Sequence, residues 1–278
     1  MYDWPDYITR AVEQLETMTD EAAEEEQIEA FASRWGGLCL DIFQQVLEEG
    51  KGEDRVLAIL ALGYSGLPEA PALLSPLLAS PVLPERWASA LALGEQQQAQ
   101  ARPVLEQMLF EEYWLDLPPS ETPGGLWAML LESWRGQAAY LLARWQDPRL
   151  VVVLRQALQV DWQREQALVA RFGYGSPVAY ARDGIAFALG QLGGFGALLH
   201  LEWPAARLRV ALLLLVLGYL STTGVLHGQN FLIDLVGFET PLKAGVRAVL
   251  AERFGYTQPE AEVFIDRATS DCMARYRA

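Results

Sequence analysis

A nine-residue phrase recurs in the chain and constrains its fold more than any other feature. "RVLAILALG" runs from Arg55 to Gly63, "RWASALALG" from Arg86 to Gly94 and "RDGIAFALG" from Arg182 to Gly190. A degenerate copy, "RGQAAYLLA", runs from Arg135 to Ala143. Internal repeats of this kind mark stacked supersecondary units, because one unit alone cannot bury its apolar face. Gly63 and Gly94 lie 31 residues apart. The longer steps to Ala143 and Gly190, 49 and 47 residues, return to that period once insertions near 111–128 and 160–178 are set aside. Gly218, with a shifted arginine at Arg209, and Gly255, eight residues after Arg247, mark two worn copies. The chain therefore reads as about six units.

Each unit reads as two helices. Val56, Ile59, Leu60 and Leu62 alternate with the small Ala58 and Ala61, so the first helix is apolar almost all round and needs cover on several sides. The terminal glycines, Gly63, Gly94, Gly190, Gly218 and Gly255, are expected at the left-handed position that ends a helix. The second helices carry their own start signals. Pro68-Glu69 puts a proline and a carboxylate in a first turn, Asp147-Pro148 is an N-cap with a proline after it, and Thr257 to Glu260 spells a capping box. Leucine-rich faces follow, such as Leu73, Leu74, Leu77 and Leu78. No alternating β pattern of useful length is present. The expected fold is all-α: an α-solenoid spanning 55–278, with an acidic helical cap at 1–54.

Charge separates those two regions. Residues 1–54 hold fifteen acids and three bases, whereas 55–278 hold twenty-one and eighteen, within a total net charge of −15. In the cap, Ile28, Phe31 and Trp35 make an apolar helical face, and Glu24 to Glu26 form a solvated acidic run. This balance disfavours nucleic acid, whose binders carry basic patches. It favours a protein partner with a basic patch. The two cysteines, Cys39 and Cys272, read as free thiols of a reducing compartment. The N-terminus has no signal-peptide pattern. The apolar run Val210 to Leu226 is 17 residues, at the lower edge of a membrane span. It is expected to be a buried helix, with no membrane involved, and a cytoplasmic location follows.

Catalytic and metal motifs do not emerge. His200 and His227 are the two histidines, and neither lies near a cysteine in sequence. Zinc spacings, a phosphate loop and G-x-S-x-G are missing, so no cofactor or metal is expected. The insertions are the informative departures, since loops of a repeat array often carry binding. The first holds Tyr113, Trp114 and Asp116; the second holds Trp162, Arg164, Arg171 and Tyr174 with Phe172. Aromatics with arginine are enriched at interface hot spots. The competing reading is that these residues bury aromatics against the solenoid as a satellite core. The arginines that open each phrase, Arg55, Arg86, Arg135, Arg182 and Arg247, are expected to bond carboxylates or carbonyls between neighbouring units.

The stretch "EDRVLAILALGYSGLPEAPALLSPLL" resembles HEAT-like repeats of the kind named after phycobilisome lyases. The resemblance covers 53–110 and, less closely, 178–201; elsewhere only the period matches. It implies a helical-repeat fold, and little about activity, because that family hosts scaffolds, adaptors, chromophore lyases and DNA-repair enzymes. The leading expectation is a non-catalytic protein–protein interaction scaffold or adaptor. The alternative is a phycobilin lyase-like chromophore handler, whose groove residues by position would be Tyr180, Arg182 and Asp183. A HEAT-like DNA glycosylase is disfavoured by the net charge of −15.

Overall fold

The computed structural model describes residues 40–41, 43–50, 52–65, 67–111, 126–172, 178–198, 201, 203–223, 235 and 240–277. Among these residues the chain is all-α. A helical run over 40–41 and 43–49 leads in. Then follow α1 (Glu53–Tyr64), α2 (Ala70–Leu74, extended by a 3₁₀ turn at Ser75–Ala79), α3 (Leu83–Glu95) and α4 (Arg102–Met108). The remainder is α5 (Leu126–Arg144), α6 (Leu150–Phe172), α7 (Val178–Gln191), α8 (Ala205–Thr222), α9 (Pro241–Phe254) and α10 (Gln258–Arg277).

The four copies of the phrase are helical and lie in α1, α3, α5 and α7. These helices pack in a row: α1 on α3, α3 on α5, α5 on α7, and α7 on α8. The intervening helices lie beside their sequence neighbours: α2 against α1 and α3, α4 against α3 and α5, and α6 against α7. At the far end α10 packs on both α8 and α9. The row explains the phrase's composition. From Trp87 to Gly94 every residue of α3 is buried, as a helix with neighbours on two sides of the row and a third beside it requires.

The phrase glycines do a different job from the one expected. Gly63, Gly94, Gly190 and Gly218 lie inside helices, and only Gly52, Gly193 and Gly255 among the described glycines have positive φ. The four are points of close helix approach. A Cβ at Gly63 would run into Ala92 and one at Gly190 into the Leu215 carbonyl oxygen, and at Gly94 it would press on the tips of Leu105 and Leu141 at 3.0 Å. Counting the arginine as position one, and Arg209 as the arginine of α8, each of these contacts between copies joins position nine of one copy to position seven of the next. The left-handed residue that closes the turn after each helix comes three residues after position nine, at Gln97, Gln146 and Gly193, with φ of 53°, 52° and 69°. The amide of each bonds back to Gly94, Ala143 or Gly190 at 2.9, 3.0 and 2.9 Å. Gly255 alone of the five is the left-handed cap that the sequence implied, with φ 71°.

Of the start signals, the capping box forms as expected, whereas Pro68-Glu69 and Asp147-Pro148 fall in the turns ahead of their helices and not at the first helical positions. Glu260 accepts from the Thr257 amide at 2.8 Å and from its hydroxyl at 2.6 Å, which closes the capping box of α10. Asp147 accepts from the Arg149 amide at 3.0 Å ahead of α6. Pro68-Glu69 falls in the turn before α2, and Pro71 is the proline of that helix's first turn. The excess at 160–178, expected as a loop, is helical through Phe172. Its residues Gln163, Glu165, Gln166, Ala167 and Leu168 are good helix formers, and no glycine or proline interrupts them. One described helix, Ala205–Thr222, has the length and hydropathy to cross a membrane; half of it is buried inside the protein.

Candidate functional site

The opening arginines bond carboxylates or carbonyls of neighbouring elements. Arg55 pairs with Glu85 at 3.1 Å. Arg86 meets Glu111 at 2.8 Å and donates to the Ser80 carbonyl at 2.9 Å. Arg135 donates to the Met108 and Leu109 carbonyls, at 3.0 and 2.6 Å. Arg182 pairs with Glu165, and Arg247 with Glu262. Arg86 and Arg135 thus reach the end of the preceding short helix or the chain just past it, where backbone carbonyls lack intrahelical partners and carry negative charge.

The densest polar cluster lies on α6. Leu150, Leu154, Ala157 and Leu158 are fully buried, and the stripe they form runs on into Asp161, Arg164 and Glu165. Spacings of three and four keep these three on the buried face of the helix, so their charges need internal partners. Asp161, with no exposed surface, takes Arg135 at 2.6 Å and Arg164 at 3.3 Å. Arg164 also donates to the Leu109 carbonyl at 3.4 Å and to that of Phe110. Glu165 pairs with both Arg182 and Arg207. Each of those guanidiniums lies over an indole, Arg182 5.6 Å from the Trp203 ring and Arg207 5.2 Å from that of Trp162. The two indoles are 5.9 Å apart. The cluster ties α4, α5, α6 and α7 to the entry of α8, and Arg207, 31% exposed, is its most accessible charged member.

Of the insertion residues expected to bind, Trp162 and Arg164 come together in this cluster, Trp162 half-buried and Arg164 buried. Arg171 lies in α6, with its side chain outside the described residues. Tyr113, Trp114, Asp116 and Tyr174 lie outside them altogether, as do the cap residues Glu24 to Glu26, Ile28, Phe31 and Trp35, both histidines and Cys39. Of the trio at the start of α7, Arg182 is buried, Asp183 is half-buried, and the Tyr180 side chain is not among those described. Cys272 is buried and is not in a disulfide. Asp161, Glu165, Trp203 and Arg207 were not singled out in the sequence. The signal for the first two was present: charged residues at positions that continue an apolar helical stripe.

Three carboxylates elsewhere are lowered by the groups they accept from. Asp147 is held well below the usual carboxylate range, first by Arg149 and then by Arg102. Glu262 is lowered by Arg247 and, less, by Lys243. Glu260 is lowered by the Thr257 hydroxyl and amide. Among the described residues no group of three or more His, Cys, Asp or Glu side chains is placed to hold a metal ion. Comparison with known families, curated proteins and solved structures finds no match.

Proposed function

We propose that the chain is an α-solenoid of HEAT-like helical pairs that serves as a non-catalytic scaffold or adaptor for another protein, one that carries a basic patch. One observation carries the fold part of this reading. The contact from position nine to position seven recurs at Gly63 and Ala92, Gly94 and Leu141, and Gly190 and Leu215, while the step from α5 to α7 closes at Gly136 and Gly184, so one helix packing recurs at three of the four steps of the row. Arrays of this kind present a long continuous surface to partners. The recognition part is supported by exposed large apolar side chains on the phrase helices, Leu57, Tyr64 and Tyr140. Its electrostatic part is supported by the net charge of −15 and the concentration of acids in 1–54.

The test is native mass spectrometry of the full chain recovered from its own cells. A stoichiometric protein partner whose association slows with added salt is expected. A bound mass of a few hundred daltons with visible absorbance would replace the reading with chromophore handling. For that alternative, Arg182 is engaged by Glu165 and Trp203.

A further inference from the structure

Among the described residues, the repeated register leaves one face of α1 exposed where α3, α5 and α8 are covered by the preceding copy. Position seven is Ala92 in α3, Leu141 in α5 and Leu215 in α8, all buried under position nine of the preceding copy. In α1 that position is Ala61, and it is exposed. Leu57, at position three, is 63% exposed, where its counterpart Ala88 is fully buried. Tyr64 is 61% exposed, with its hydroxyl accepting from Gln137 of α5 at 2.9 Å. Asp54, Leu57, Ala61 and Tyr64 share one helical face by spacing and are all exposed.

We infer that this face takes a basic amphipathic helix from a partner protein, added as the next helix of the row, with a small residue laid over Ala61. The inference rests on the protein-binding reading above and names its site and partner. Ala61 occupies the position at which later copies admit a glycine at close range, so the incoming helix needs a small residue there. Leu57 and Tyr64 flank it as apolar anchors, in the manner of a helix laid into a groove. Charge selects the occupant. Asp54 ends the stripe, and Glu48 and Glu49 are exposed on the helix that leads into α1. A second copy would bring another net charge of −15. It would add like charge to this end of the molecule, whereas a lysine-rich helix is attracted to it.

The test titrates the full-length protein into a fluorescein-labelled 18-residue helix of Lys, Leu and Ala with one glycine in its apolar seam. Anisotropy reports binding. A twin peptide with Glu in place of Lys is the charge control. Saturable binding of the lysine peptide is expected, at least tenfold tighter than that of the twin. The charge-neutral variants Leu57→Asn and Ala61→Gln should each weaken it at least tenfold, and Val263→Asn, on an exposed apolar residue of α10, should leave it unchanged. Binding that survives Leu57→Asn and Ala61→Gln overturns this site and leaves the protein-binding reading standing. Sedimentation of the same samples reads the competing occupants. A dimer abolished by Ala61→Gln assigns the face to a second copy, and a monomer that binds neither peptide assigns it to the chain's own remaining residues. Either result overturns the inference. The protein-binding reading itself fails separately, when native mass spectrometry recovers no protein partner.

Discussion

Single positions in this molecule divide sharply into those that can accept a side chain and those that cannot. At Gly190 an added Cβ would overlap the Leu215 carbonyl oxygen, and at Gly218 that of Phe187. Both are backbone atoms of a packed neighbour and cannot swing aside. Gly190→Ala and Gly218→Ala should each cost about 2–4 kcal/mol by overpacking and forced helix separation, read as a drop in urea midpoint. Gly196→Ala meets nothing within 4 Å and should stay within about 0.5 kcal/mol of the parent; a large loss there would mean that the glycines matter for a reason other than contact. Gln97 runs the other way. Its φ of 53° is a left-handed conformation that disfavours a Cβ, so Gln97→Gly should raise stability by roughly 0.5–1 kcal/mol. Buried charge is the third kind of position. Arg135 and Asp161 have no exposed side-chain surface, and Arg135→Met would leave the Asp161 carboxylate without its 2.6 Å partner. A loss of about 3–5 kcal/mol is expected, and the double variant Arg135→Met with Asp161→Leu should recover part of it. Absence of any such coupling in the double-mutant cycle would show that the pair is not what stabilises this corner.

Among the elements, the joint between α9 and α10 shows how local signals and tertiary contacts divide the work. Thr240 caps α9 by accepting from the Lys243 amide at 3.1 Å, Gly255 ends it, and Glu260 caps α10. Arg247 and Lys243 of α9 then reach across to Glu262 of α10, Lys243 at 3.3 Å. Gly255→Ala should cost about 1 kcal/mol, because φ of 71° suits glycine. Melting of the C-terminal pair, followed by hydrogen exchange, should register that loss before the row α1 to α7 does. These signals were legible in the sequence because they are local: T-x-x-E and a glycine after the last apolar residue mean the same thing in any context. The phrase glycines were misplaced by the same logic. "ALG" at the end of an apolar run looks like a cap, but the cap comes three residues later, at a glutamine in two of the copies. What holds glycine at position nine is the approach of the next helix, a distance that no local pattern contains. The length of α6 was missed for a related reason. A repeat period leads one to expect a loop wherever the count runs over, whereas the extra residues prolong a helix whose buried face carries charges matched by α5, α7 and α8.

Across the whole molecule, charge sets two opposing dependences on pH. At neutral pH the net charge of −15 makes the folded chain repel itself. That repulsion fades as the pH falls toward the sequence pI of about 4.6. Against this stand the carboxylates that folding lowers. Asp147, Glu260 and Glu262 all lie below their ordinary values of 3.8, 4.5 and 4.5. A group whose folded pKa is depressed contributes stability that is fully present above its unfolded pKa. That stability is lost as the pH falls through the folded one. Their contributions therefore survive the approach to the pI and disappear only in more acid solution. The melting temperature should hold or rise slightly from pH 7 to about 5 and fall steeply below about 4, and 0.5 M NaCl should raise it at pH 7 by screening the repulsion. Replacing Glu262 with Gln should flatten the acid limb while leaving the neutral limb in place, since the group removed titrates only there. A melting temperature that already falls between pH 7 and 5 would mean that groups titrating near neutrality, and not these lowered carboxylates and the overall acidity, govern the fold. The same salt series separates stability from recognition. Salt that stabilises the free protein at pH 7 should weaken its hold on a lysine-rich helix, because one acidic surface produces both effects.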